Sequence, residues 1–108
     1  MIRYATDENF RELIKTGPAI VDFFGEFCVP CKMIGSILED LDVEYPFLNI
    51  IKVDTDECEA LTEEFKIDGI PDLYFFRDGQ VVHREMGAIG EDELKEHISD
   101  LLYSGIRP

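Results

Sequence analysis

Two apolar runs decide most of what this chain can fold into. AIVDFF (Ala19–Phe24) and NIIKVD (Asn49–Asp54) are short, nearly unbroken and rich in β-branched and aromatic residues. That is the pattern of strands covered on both faces in the middle of a sheet. Between them Met33, Ile34, Ile37, Leu38 and Leu41 recur at helical period from Pro30 onward and stop before Tyr45-Pro46. Strands joined through a helix run parallel. Further on, LYFF, a turn at Arg77-Asp78-Gly79-Gln80 and VVHRE read as an antiparallel hairpin.

Three more helices complete the pattern. Thr6 is placed to cap one that carries Phe10, Leu13 and Ile14 and ends at Gly17-Pro18. Asp56 and Glu59, at capping-box spacing, open a second with Cys58, Leu61 and Phe65 along one side. Gly87 and Gly90 lead into the last, with Leu94, Ile98, Leu101 and Leu102 facing inward. The expected architecture is one α/β domain over residues 1–108, a central mixed β-sheet with helices on both faces. Its end, from Tyr103 to Pro108, is expected to fray.

Charge and composition narrow the function. With 24 acidic against 10 basic residues the net charge is −14, which repels phosphate backbones and anionic membranes alike. No stretch approaches the roughly 18 apolar residues of a membrane span, and MIRYATDENF does not read as a signal peptide. A cytoplasmic location is therefore expected, where a disulfide is more often catalytic than structural.

Against that background stands EFCVPCKM, with Cys28 and Cys31 two residues apart. Cys28 follows a buried strand and begins a helix, where free N–H groups and the helix dipole favour an anion. Cys31, one turn further in, lies on the same side and can close a disulfide. Pro30 suits a first helical turn, which needs no N–H from it. A zinc site would need four ligands, yet Cys58 stands alone and neither His83 nor His97 pairs with it, so no metal is expected. A purely structural disulfide across so short a loop would constrain little of the unfolded chain. Redox cycling is the favoured reading.

VDFFGEFCVPCKMI, then KVDTDE, then FKIDGIPDLYFFRDG with MGA after it, resemble the thioredoxin family along nearly the whole length. The resemblance implies the thioredoxin fold and a thiol–disulfide oxidoreductase that reduces protein disulfides. It implies Cys28 as the attacking and Cys31 as the resolving cysteine, joined by a disulfide when oxidised. Asp22 matches the family's buried acid, suited to take a proton from Cys31, and Lys52 matches the lysine near it. Pro71 matches the family's cis-proline, and Gly87 and Ala88 its glycine-containing loop. With Phe27, Val29, Pro30 and Ile70 these would form an apolar docking patch. The implied partners are disulfide-containing clients and a thioredoxin reductase-type donor, with no cofactor beyond the cysteine pair and a monomeric chain. A disulfide oxidant or isomerase of the same fold, and a redox-inactive binding module, are the alternatives.

Four positions depart from the family pattern. Val29 stands where glycine is usual and adds bulk beside the attacking sulfur. Phe24 and Phe27 replace tryptophans, and the chain has no Trp. Asp72 replaces the threonine after the proline and brings a carboxylate toward Cys28. Gly35-Ser36 stands in place of a helix-kinking proline, and a Gly/Ser pair can also bend a helix. Cys58 is expected to be a buried, inert thiol. His83 alternates with Val82 and is expected to face solvent; His97 sits beside the apolar stripe of the last helix.

Overall fold

A computed structural model describes residues 1–103. The chain passes through β1 (Ile2–Tyr4), α1 (Phe10–Leu13), β2 (Pro18–Phe24), α2 (Val29–Glu44), β3 (Asn49–Asp54), α3 (Glu59–Glu64), β4 (Asp72–Arg77), β5 (Gln80–Met86) and α4 (Glu91–Tyr103). The strands form one sheet in the order β1-β3-β2-β4-β5. β3 runs parallel to both β1 and β2, whereas β4 is antiparallel to β2 and to β5. The two apolar runs are thus central strands, and the mixed sheet follows the expected architecture. Tyr103, expected to fray, still belongs to α4; the remainder of that tail lies outside the described residues.

Strand alternation sorts the core into two layers. Ala19, Val21 and Phe23 of β2, Ile51 and Val53 of β3, and Tyr74 and Phe76 of β4 pack with Phe10 of α1 and Leu61 of α3. Ile20, Ile50, Leu73 and Phe75 face the other way and pack against Ile34, Leu38 and Leu41 of α2 and Leu94, Ile98 and Leu101 of α4. By the same alternation, Asp22 and Lys52 belong to the α2/α4 face and Asp72 to the α1/α3 face.

Two helix starts differ from expectation. α1 is a single turn capped at Asn9, because Thr6 and Asn9 bond each other: Asn9 N donates to Thr6 Oγ1 at 3.1 Å and Thr6 N to Asn9 Oδ1 at 2.7 Å. α3 is not closed by an Asp56–Glu59 box. Asp7, far away in sequence, accepts from Leu61 N at 3.0 Å and Ala60 N at 3.4 Å, and so satisfies the free N–H groups of that first turn. Cys58, 2% exposed, donates its thiol to the Ala5 carbonyl at 3.4 Å. Burial, reinforced by nearby Asp7 and Asp54, raises its pKa and keeps it protonated.

The β4–β5 hairpin turns on Asp78 (φ 50°) and Gly79 (φ 81°), the two positive values a two-residue type I′ turn requires. Its ladder then slips. Phe76 pairs with Val81 but Phe75 pairs with His83, leaving Val82 as an extra residue. This bulge resets the alternation of β5. His83 and Glu85 turn to the α2/α4 face and Arg84 to the α1/α3 face, so His83 does not simply face solvent. Its ring lies 5.4 Å from that of Phe75.

Candidate active site

β2 ends at Phe24 and α2 begins at Val29, so Cys28 is the N-cap of a 16-residue helix. Its backbone is extended, with φ −97° and ψ 109°, and its Sγ accepts from the Cys31 N–H at 3.2 Å. Cys28 and Cys31 form a disulfide with Cα atoms 5.2 Å apart. The two sulfurs have unequal access: Cys31 is only 3% exposed, whereas Cys28 is half-buried. Val29 and Phe27 beside them are 68% and 89% exposed and give the rim an apolar surface.

On one side the rim meets the segment before β4. The Ile70-Pro71 peptide bond is cis, and the Ile70 carbonyl lies 3.9 Å from Cys28 Sγ. Gly87 N donates to the Pro71 carbonyl at 2.8 Å, tying the loop after β5 to this turn. Between the two lies a groove of about 150 Å³ lined by Ile70, Pro71, Met86 and Gly87 among others. Ala88 is exposed outside that lining, and Met86, which the sequence did not single out, takes a place in it. Gly25 was missed as well. A Cβ there would stand 2.6 Å from Ile70 Cδ1, so the absence of a side chain leaves room for the tip of the Ile70 side chain.

Behind the disulfide a second cleft, about 380 Å³, runs from Cys31 past Gly35 to Lys52. Gly35 follows Cys31 by one turn, and a Cβ on it would meet Lys52 Nζ at 3.4 Å. Lys52 and Asp22 are directly paired across β2 and β3, and Lys52 Nζ donates to Asp22 Oδ2 at 2.7 Å. The ammonium also sits 4.7 Å from the centre of the Phe24 ring, a cation–π contact. Asp22 is fully buried and its Oδ1 has no hydrogen-bond partner. Burial pushes its carboxyl pKa up, and Lys52 draws it only partly back.

Asp72 does not act as an uncompensated charge beside Cys28. It is 1% exposed, and Arg84 grips it with both arms, Nε to Oδ1 at 3.1 Å and NH2 to Oδ2 at 2.6 Å. The guanidinium also lies 4.8 Å over the Tyr74 ring. α2 continues unbroken through Gly35-Ser36.

A strand-to-helix junction bearing a half-buried and a buried cysteine, with a cis-proline turn against the first and a cleft leading from the second to the lysine that holds a buried acid, is a dithiol–disulfide site. The thioredoxin family model matches residues 1–100. The chain belongs to the thioredoxin family. It is 39% identical over 99 residues to a thioredoxin of Chlamydia trachomatis, covering 92% of this chain and 97% of that one. It is 41% identical over 96 residues to thioredoxin C-2 of Corynebacterium nephridii, covering 86% and 89%. In fold it is similar to a solved chain from work on the thiol-resolving mechanism of yeast mitochondrial 1-Cys peroxiredoxin via glutathione/thioredoxin systems. That match has a TM-score of 0.84 and 31% identity over 93% of this chain and 95% of the other.

As a thioredoxin-family member with its cysteine pair in place, the chain is a thiol–disulfide oxidoreductase that reduces protein disulfides. Membership implies disulfide-bearing client proteins and a reducing partner. No helix among the described residues is long and apolar enough to cross a membrane.

Proposed function

We propose that Cys28 attacks, Cys31 resolves, and Asp22 accepts the proton that Cys31 must lose. The observation that carries this reading is the division of access around the disulfide. Cys28 faces the rim and the cis-proline turn, while Cys31 opens on the cleft that ends at Lys52, whose ammonium holds the buried Asp22.

In the reduced protein the Cys31 N–H and the start of α2 favour a thiolate at Cys28. That thiolate attacks one sulfur of a client disulfide, forms a mixed disulfide and expels the other client sulfur as a thiolate. Cys31 then gives up its proton and attacks the Cys28 sulfur. This closes the Cys28–Cys31 bond and releases the second client thiolate. Two electrons pass to the client, and the protons of the two cysteines end on its thiols. Lys52 holds Asp22 in place, and because burial raises the Asp22 pKa, the carboxylate is basic enough to take the Cys31 proton.

Phe27, Val29, Pro30, Ile70, Pro71, Gly87 and Ala88 receive the client segment around Cys28. The redox store is the cysteine pair, with no bound cofactor, and a thioredoxin reductase-type partner recharges it. Such a reductant works in the cytoplasm, where thiols are kept reduced. A monomer is the state proposed, and buried Cys58 offers no thiol for an intermolecular bridge.

Asp22→Asn tests the proton step in two ways. Resolution of a preformed mixed disulfide, followed by stopped flow, is expected to slow roughly 100-fold near neutral pH. An unchanged rate would remove Asp22 from the mechanism. Stability should move the other way. A carboxyl whose folded pKa lies above its ordinary value of 3.8 contributes stability that is fully present below that value. That stability is lost as pH rises through the folded pKa. The asparagine variant lacks this decline, and urea unfolding at neutral pH should find it more stable than wild type, by a margin that shrinks as pH falls toward 3.8.

A further inference from the structure

The bulge at Val82 has a second consequence, on the opposite side of β5 from Arg84. It turns His83 and Glu85 toward α4, where they meet His97. The two imidazole rings stack with centroids 4.1 Å apart, and the Phe75 ring lies 5.6 Å from that of His97. Glu85 Oε1 stands 2.9 Å from His83 Nε2 and 2.9 Å from His97 Nε2. One ligand atom from each of the three residues falls within 4.8 Å of the others. His97 Nε2 is buried and makes no hydrogen bond, although Glu85 Oε1 stands 2.9 Å away. A buried ring nitrogen left without a hydrogen bond beside a carboxylate is a position a cation can fill.

We propose that His83, Glu85 and His97 form a zinc(II) site that joins β5 to α4, with water in the fourth position. Two imidazoles and one carboxylate are a donor set zinc favours, and tetrahedral Zn–N and Zn–O bonds of about 2.0–2.2 Å hold ligand atoms about 3.4 Å apart. Glu85 Oε1 already lies 2.9 Å from each Nε2, and the three donor atoms fall within 4.8 Å of one another, so half-buried side chains need only small rotations to close on an ion. Glu93, whose Oε2 is 3.8 Å from His97 Nε2, adds a second carboxylate at the rim. The net charge of −14 favours a cation throughout. A cleft of about 240 Å³ reaches His83 and His97 from solvent and supplies the entry path. It shares no lining residue with the cleft behind Cys31 or the cis-proline groove, so the site is separate from the redox centre.

The test is calorimetric titration of zinc chloride into tag-free, oxidised protein, in which Cys28 and Cys31 are locked in their disulfide. One equivalent should bind with micromolar affinity or tighter. His97→Gln and His83→Gln should each weaken binding at least about tenfold, while insulin reduction and far-UV circular dichroism stay unchanged. Glu85→Gln, which leaves the ring stack alone, should weaken it likewise and carries the test if a histidine variant fails to fold. Failure of the wild type to bind zinc, or wild-type affinity in any folded variant of the three, would overturn the proposal.

Discussion

Cys28→Ser is expected to bring insulin reduction by dithiothreitol down to the rate seen without protein. The loss should be complete because the chain offers no substitute nucleophile. Cys31 is 3% exposed behind the rim and Cys58 is 2% exposed, bonded to a backbone carbonyl and held protonated. A serine hydroxyl at the helix start has no accessible anion to attack sulfur. The fold should be little affected, since the core layers do not include Cys28. Activity at half the wild-type level or more would show that another thiol starts the exchange.

Arg84→Leu is expected to destabilise the oxidised protein by about 3–5 kcal/mol in urea unfolding, the range for stripping one partner from a buried ion pair. The asymmetry of the pair makes the effect directional. Asp72 is 1% exposed and cannot turn to water, whereas about a third of the Arg84 side chain is accessible. Asp72→Asn should therefore cost markedly less, because the arginine it abandons can be solvated. A loss below about 1 kcal/mol for Arg84→Leu would mean the pair behaves as an ordinary surface bridge. The position carries functional weight as well, since Asp72 follows the cis-proline directly and its anchoring fixes the turn that faces Cys28.

The sheet was legible because its signals are local. AIVDFF and NIIKVD each announce a strand buried on both faces, LYFF with its turn and VVHRE announces a hairpin, and the CVPC helix start follows from strand, cysteine and proline in immediate succession. The cis-proline turn and Asp22 were legible through family resemblance; composition alone does not distinguish a cis bond or a buried carboxylate. What stayed hidden depends on register. One slipped pairing at Val82 reverses the faces of His83, Arg84 and Glu85, and no feature of VVHRE marks it in advance. The Arg84 partner of Asp72 and the meeting of His83 with His97 were illegible for that reason. Asp7 as the cap of α3 was hidden by distance along the chain. Gly25 and Gly35 matter for the side chains they leave room for, Ile70 and Lys52, which lie elsewhere in the sequence.

The exchange divides between a half-buried attacking cysteine at the rim and a buried resolving one. The most direct measurement is to react reduced Cys31→Ser protein with a disulfide-containing client and follow the products on non-reducing gels and by mass spectrometry. A one-to-one covalent adduct through Cys28 that persists until dithiothreitol is added is the predicted result. Absence of the adduct, or an adduct through Cys58, would contradict it.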